Sequence, residues 1–248
     1  MENDLIIGRN PVTEALKSGR TVEKLLVAKG SEKTLSKLIA IAKDAGVPVY
    51  YNDRARMDKI AGGGAHQGVA AYVSSYEYSE VEDLIARAEA KGEVPFLVIL
   101  DGIEDPHNLG AILRSADGAG VHGVIIPKRR AVGVTGVVAK ASAGAIEYVP
   151  VARVSNIPRA IDDLKQKGFW IAAVDMSETA YFKSDLKGRI ALVIGNEGEG
   201  ISRLAKEKCD FTVSIPMQGK VQSLNASNAA AIVMYEVLRQ RQSDEERT

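Results

Sequence analysis

Four apolar runs of strand length, residues 96–100, 122–126, 169–174 and 190–194, are separated by stretches of helical periodicity, and this constrains the chain more than any other feature. A strand with one wet face alternates polar and apolar residues, whereas a strand buried on both faces reads as a continuous apolar run. The pattern therefore predicts an α/β domain, beginning at Pro95, with a mainly parallel sheet covered by helices on both sides. Shorter strands are expected at residues 147–151 and 211–213. The last helix, residues 225–238, carries Ala226, Ala229, Ala230 and Ala231, and so is slim on nearly every side. Such a profile suits passage through a crowded interior.

The first 73 residues alternate helix and strand signals on a smaller scale. Asn10 can cap a short helix with Pro11 in its first turn, and residues 22–28 read as a strand. Ser31 is placed to cap a helix whose Leu35, Leu38, Ile39 and Ala42 share one face, with Gly46 ending it. A strand at 47–51, a helix at 54–60 stopped by Gly62, Gly63 and Gly64, and a strand at 68–73 complete the unit. Residues 76–94 then hold six carboxylates against two cations. One helix is expected there, capped by Ser79 with Glu82 in the reciprocal position and Val81, Leu84, Ile85 and Ala88 on one side. The division is thus a small domain at 1–74, a linker at 75–94, a larger domain at 95–240, and a frayed polar tail at 241–248, with Gln240 at its start.

Composition excludes several classes. The formal net charge is zero, which argues against a protein that coats duplex DNA and leaves room for RNA recognition by a local basic surface. A single cysteine, Cys209, rules out an internal disulfide and a cysteine-rich zinc site. No apolar run reaches membrane-spanning length, and Glu2 and Asp4 stand where a signal peptide is basic, so a cytoplasmic protein is expected. His66, His107 and His122 show neither catalytic-triad order nor metal-ligand spacing, and Ser223 lacks a nucleophile-elbow context.

Three loops follow strand-like runs, where open α/β sheets place ligands. The first runs from Asp101 through Asn108 into a helix with Leu109, Ile112, Leu113 and Ala116 inward and Arg114 outside that stripe. Asn108 there serves as a helix cap or as a site residue, and Arg114 as a surface charge or a ligand contact. The second, residues 195–200, has three glycines in six positions around Glu197. It is a tight turn or a place where backbone approaches a ligand, and its spacing is not that of a dinucleotide fingerprint. Asp117 to Gly120, by contrast, ends a helix. The third, residues 215–225, opens the last helix with Ser223 and Asn225, which cap it or present polar groups to a ligand. Lys128, Arg129 and Arg130 form a basic run beside a strand end: a solvated face or a phosphate contact.

In order and spacing these loops resemble the three signature motifs of the SpoU branch of the SPOUT RNA methyltransferases. The first is carried by Asp105, Asn108, Leu109, Gly110 and Arg114. The second is Gly195, Asn196, Glu197, Gly198 and Gly200. The third is Ile215, Pro216, Ser223, Leu224, Asn225 and Ala226. The small domain is similar to that family's L30-like substrate-binding domain, through Gly8, Val12, Glu14 and Leu16 near its start and His66, Gln67 and Gly68 near its end. Within the branch, the chain most resembles bacterial enzymes that methylate a guanosine ribose in 23S rRNA. Asn10 and Asp105 depart from the usual histidine and asparagine, on the substrate side.

The resemblance implies a deep trefoil knot, a homodimer, and S-adenosylmethionine held by backbone around Gly195, Ile215 and Leu224. It implies no metal. It assigns catalysis to Asn108, Arg114, Glu197, Ser223 and Asn225, with Arg114 nearest the 2′-hydroxyl. The expected partner is 23S rRNA or a ribosome-assembly intermediate, with neither DNA nor membrane. Two alternatives share the motifs: a ribose methyltransferase acting on tRNA, and a non-enzymatic ribosome-assembly factor.

Overall fold

A computed structural model describes residues 3–245; Glu2 and residues 246–248 of the expected tail lie outside the described residues. The chain divides into two compact units, Met1–Glu77 with Val134–Tyr148, and Tyr78–Gly133 with Val149–Thr248.

The first unit runs β1 (Asn3–Ile7), α1 (Arg9–Lys17), β2 (Val22–Ala28), α2 (Ser36–Asp44), β3 (Val49–Asn52), α3 (Arg54–Ile60) and β4 (Val69–Ser74). Its sheet has the order β1-β4-β2-β3, with β2 and β3 parallel and the other pairs antiparallel. Side chains alternate across a strand. Leu26, Ala28 and Ala70 accordingly pack with Met57 of α3 on one face, and Leu25, Val27, Ala71 and Val73 are buried on the other. Strand β1 was not expected from sequence, since only Leu5, Ile6 and Ile7 precede the turn at Gly8.

Two caps differ from the sequence reading. Gly8, at φ 102°, caps α1, so Asn10 lies inside the helix. Ser31 sits one turn too early: its carbonyl accepts Leu35 N–H at 3.0 Å, and α2 starts only at Ser36. In both cases a cap-type side chain lay near the boundary, but the turn geometry set the start.

The second unit begins with α4 (Val81–Ala90), β5 (Phe96–Asp101), α5 (Pro106–Gly118) and β6 (Gly123–Pro127). After the segment bearing α6 (Gly136–Ala141), it continues with β7 (Val151–Val154), α7 (Ile157–Gln166), β8 (Trp170–Val174), β9 (Ile190–Gly195), α8 (Arg203–Lys208), β10 (Phe211–Val213) and α9 (Ala226–Glu245). All six strands are parallel, in the order β10-β8-β9-β5-β6-β7. Leu97, Ile99 and Val193 face α4, α7 and α8 through Leu84, Ile161 and Ala205. The alternate residues Val98, Leu100 and Leu192 are buried on the opposite face, as are Ile112 and Leu113 of α5 and Val233 and Val237 of α9. Each such aliphatic side chain contributes about 1.5–3 kcal/mol by leaving water. The parallel sheet read from the apolar runs is the one observed.

Three further readings need correction. The linker helix is capped by Glu80 with Asp83 in the reciprocal position, one residue beyond Ser79 and Glu82; Ser79 instead bridges to Ala152. The strand expected at 147–151 lies at Val151–Val154, because Ala145–Glu147 form a 3-10 turn first. The tail is not frayed at Gln240. Helix α9 continues to Glu245, and buried Gln240 accepts Leu186 N–H at 2.9 Å and donates to Ser184 O at 2.9 Å. Arg241 donates to the carbonyls of Val94 and Gly188 at 2.8 and 3.0 Å.

Segment Val134–Tyr148, inside the stretch read as one larger domain, clusters with the first unit. Glu147 pairs with Arg20 at 3.0 Å, both side chains being largely buried, and Tyr148 donates to Glu14. A Cβ at Gly136 would stand 2.2 Å from Leu5 O, so only glycine admits this approach. In the second unit, buried His122 accepts Phe96 N–H at 3.0 Å through Nδ1, and its Nε2 contacts Glu93 at 2.7 Å. Burial pulls the His122 pKa down, while the hydrogen bond from His122 holds the Glu93 carboxyl low.

Candidate active site

The carboxyl ends of β8 and β9 open onto a cavity of about 410 Å³. Its apolar wall is Val174, Ile194, Ile215, Leu224 and Ala229, and its polar side is the loop from Gly195 to Gly200. A parallel sheet places such a crevice there because every strand ends on the same edge. The glycine loop is a built structure. Asn196 and Gly200 exchange backbone hydrogen bonds at 3.2 Å, and Asn196 Oδ1 accepts Gly198 N–H at 3.0 Å and Glu199 N–H at 2.6 Å. A Cβ at Gly195 would lie 2.1 Å from the Gly200 carbonyl carbon, so this loop closes only over a glycine.

Beside the cavity lies a polar network. Asp105, not Asn108, caps α5, its Oδ1 accepting His107 N–H at 2.8 Å. That leaves Asn108, 7% exposed, to donate through Nδ2 to Glu197. Asn225 Nδ2 donates to Asn108 Oδ1 and to Glu197 Oε1, both at 3.0 Å. The oxygen of the same Asn225 caps α9, accepting Ser227 N–H at 3.0 Å and Ser227 Oγ–H at 2.5 Å. Asn225 therefore caps α9 with its oxygen and holds Asn108 and Glu197 with its amide nitrogen. Two amide donors converge on Glu197 Oε1, which has a lone pair for each.

Gly195, Ile215, Leu224, Glu197 and Ser223 all line the cavity. Asn108 and Asn225 join it through Glu197. Arg114 stands apart: it is exposed on α5, outside the network and cavity lining, and has no side-chain partner among the described residues. His66 and His122 are structural, bound to Gly68 N–H and Phe96 N–H. Cys209 is part-buried with its thiol pKa pushed up to about 12 by burial, which removes it as a nucleophile. Among the described residues no cluster of three His, Cys, Asp or Glu could hold a metal, and no helix is long and apolar enough to cross a membrane.

Sequence reasoning missed three contributors, Asp175, Met176 and Ser227. Asp175 and Met176 line the cavity directly after β8; an acidic residue just past a buried strand was the available signal. Ser227 fixes the orientation of Asn225 from two residues away, while Asn196, already part of the second loop, shapes that loop as an Asx turn.

The SpoU rRNA methylase family matches residues 95–235, and the substrate-binding domain of RNA 2′-O ribose methyltransferases matches residues 5–79. YacO of Bacillus subtilis, provisionally assigned as a TrmH family tRNA/rRNA methyltransferase, is 51% identical over 242 residues, covering 97% of each chain. A Staphylococcus aureus protein with the same provisional assignment is 47% identical over 243 residues, 97% of this chain and 98% of its own. The crystal structure of the SpoU methyltransferase AviRb from Streptomyces viridochromogenes, in complex with AdoMet, superposes with a TM-score of 0.81 at 28% identity, covering 97% of this chain and 91% of that one. Two family matches along the chain and relatives alike over nearly its whole length lead to one conclusion: the chain belongs to the SpoU rRNA methylase family.

Proposed function

We propose that this protein transfers a methyl group from S-adenosylmethionine to the ribose 2′-hydroxyl of a guanosine in 23S rRNA, presented as free rRNA or within an assembly intermediate. The observation that carries the reading is the Asn108–Glu197–Asn225 network at the rim of the cavity, since a pure scaffold has no use for polar side chains that converge in this way beside a cavity. The residues present fit the donor. The cavity is of small-ligand size, its apolar wall suits a purine, and Glu197 and Glu199 on its lining suit a ligand bearing sulfonium and ammonium charge. When bound, S-adenosylmethionine supplies a methyl group already activated by positively charged sulfur.

The protein's task is then to align the hydroxyl and ease loss of its proton. Gly195, Ile215 and Leu224, which line the cavity, would hold the donor through backbone and apolar contact. Asn108, Glu197 and Asn225 fix the rim against which ribose is oriented, and Ser223 adds a hydroxyl. The Arg114 guanidinium orients the oxygen and a neighbouring phosphate and favours the alkoxide, with phosphate or water accepting the hydroxyl proton. In its own chain Arg114 is clear of the cavity, which supports an active site completed by a second copy. A homodimer is part of this reading, and sedimentation at micromolar concentration gives twice the chain mass if it holds. So are residues 1–74 as the RNA-binding head, residues 95–240 as the catalytic domain, and a trefoil knot formed by the α9 segment, whose buried Ala226 and Ala230 suit a close crossing.

The test is transfer of labelled methyl to rRNA and tRNA fractions from cells lacking the gene. Label in 23S rRNA at one ribose, together with primer-extension arrest at that position in wild-type rRNA, is the expected result. Label confined to tRNA overturns the assignment of substrate, and no cofactor binding up to millimolar concentration overturns the enzyme.

A further inference from the structure

Loop 128–133 follows the carboxyl end of β6, on the same sheet edge as the cavity, and it begins with Lys128, Arg129 and Arg130. Its backbone is fixed at several points. Lys128 N–H donates to Val154 O at 2.8 Å, Arg153 Nη2 donates to Lys128 O at 3.0 Å, and Val132 N–H donates to Ile103 O at 2.9 Å. That last bond ties it to the loop leading into α5 and Asn108. Arg130 sits at φ 56°, a conformation side chains rarely adopt and one that clusters at binding sites. Yet all three basic side chains are exposed, and none has an anionic partner among the described residues, although Glu104 and Asp105 lie in the adjoining loop. A rigid platform that presents three uncompensated cations is built for an external polyanion. In strand order β6 is two places from β9, so the platform begins roughly 10 Å from the glycine loop.

Resting on the proposed activity, we propose that loop 128–133 is a binding site for backbone phosphates of single-stranded RNA beside the target nucleotide. It holds the strand so that one ribose reaches the cavity rim. Phosphate contacts of this kind set register and affinity and carry no base specificity.

The experiment compares the wild-type protein with the triple variant K128A/R129A/R130A and with R130G. Binding of transcribed 23S rRNA is measured across a salt series, alongside cofactor affinity and single-turnover methyl transfer. In the triple variant, RNA affinity is expected to fall about tenfold or more, and the log–log salt slope by roughly 2, at about 0.7 for each phosphate no longer neutralised. Half-saturating RNA should rise in step, while the rate at saturating RNA and the cofactor affinity stay within about twofold. R130G suits the left-handed backbone, so it should lose close to one phosphate's share of the slope without losing thermal stability; it decides the matter if the triple variant fails to fold. Unchanged RNA affinity and slope in these variants overturn the proposal, as does a loss of rate with RNA affinity intact. If the wild type binds rRNA but transfers no methyl, the enzymatic reading falls, while a slope that still depends on the loop upholds the phosphate site.

Discussion

Asn225 Nδ2 lies 3.0 Å from Asn108 Oδ1, and the direction of that bond is dictated from the other end of Asn225. Ser227 N–H can only donate, so Asn225 must turn its oxygen toward α9 and its amide hydrogens toward Asn108. Asn108 must then present oxygen to Asn225 and nitrogen to Glu197. One backbone N–H thereby orders a chain of side chains that ends on a carboxylate. Asn225→Asp replaces the donor with a second carboxylate facing Glu197, and like charges at this distance repel. N225D should remain folded, bind S-adenosylmethionine within a few-fold of wild type, and lose methyl transfer by about a hundredfold or more, roughly 2.7 kcal/mol. Single-turnover transfer alongside calorimetry checks this.

Arg114 gives the complementary prediction. Lysine keeps its charge but loses the planar fork that, in the proposed mechanism, grips ribose oxygen and phosphate together. R114K and R114A should both bind cofactor nearly normally, since neither cavity nor network involves this side chain. R114K should retain a tenth to a hundredth of wild-type transfer, about 1.4–2.7 kcal/mol of lost transition-state stabilisation. Near-full turnover in R114K would reduce the residue to a point charge.

Gly195→Ala tests the glycine loop. The added methyl meets the Gly200 carbonyl carbon at 2.1 Å, and backbone, unlike a flexible side chain, cannot swing aside. Cofactor affinity should fall by about a hundredfold, roughly 2.7 kcal/mol, while the sheet itself remains folded. Equilibrium binding and a melting curve on the same sample separate the two effects.

Glu147→Ala tests the first unit. It strips Arg20, largely buried, of its carboxylate and leaves it the Ser74 carbonyl at 2.6 Å and Asp4 at 3.5 Å. Removing one member of a buried pair costs about 3–5 kcal/mol, and the retained partners bring the expected loss to about 2–3 kcal/mol. Urea denaturation of the variant, monitored by a probe in the first unit, reads it directly.

Acid should destabilise the second unit through His122. Its folded pKa is depressed, so the unfolded chain binds the proton more readily; stability is full above the unfolded histidine value near 6.5 and declines as pH falls below it. Protonating Nδ1 also removes the acceptor of Phe96 N–H at the start of β5. Glu93, likewise depressed, adds a loss in the same direction at lower pH. The urea midpoint should drop between pH 7.5 and 5.5 in wild type and drop less in H122Q.

Much of this was legible in the residues. The continuous apolar runs determined strands covered on both faces, burying Leu97 and Val98, or Val193 and Leu192, on opposite sides of one strand, and the helices between them made the sheet parallel. The three loops were legible as well, since glycines, a proline and small polar residues after buried strands have few other uses. Tertiary structure decided what short-range signals could not. It chose Gly8, Glu80 and Asp105 as caps over nearby candidates, because the angle at which the chain enters a helix depends on what the helix packs against. It drew Glu147 to Arg20, residues 127 positions apart, and carried α9 past Gln240, whose amide found partners at Ser184 and Leu186. It also joined Asn108, Glu197 and Asn225, each on a different element. Local sequence sets which backbone shapes are cheap, but a buried polar group must be satisfied by whatever the folded chain brings within about 3 Å of it, and that distance exists only once the sheet has assembled.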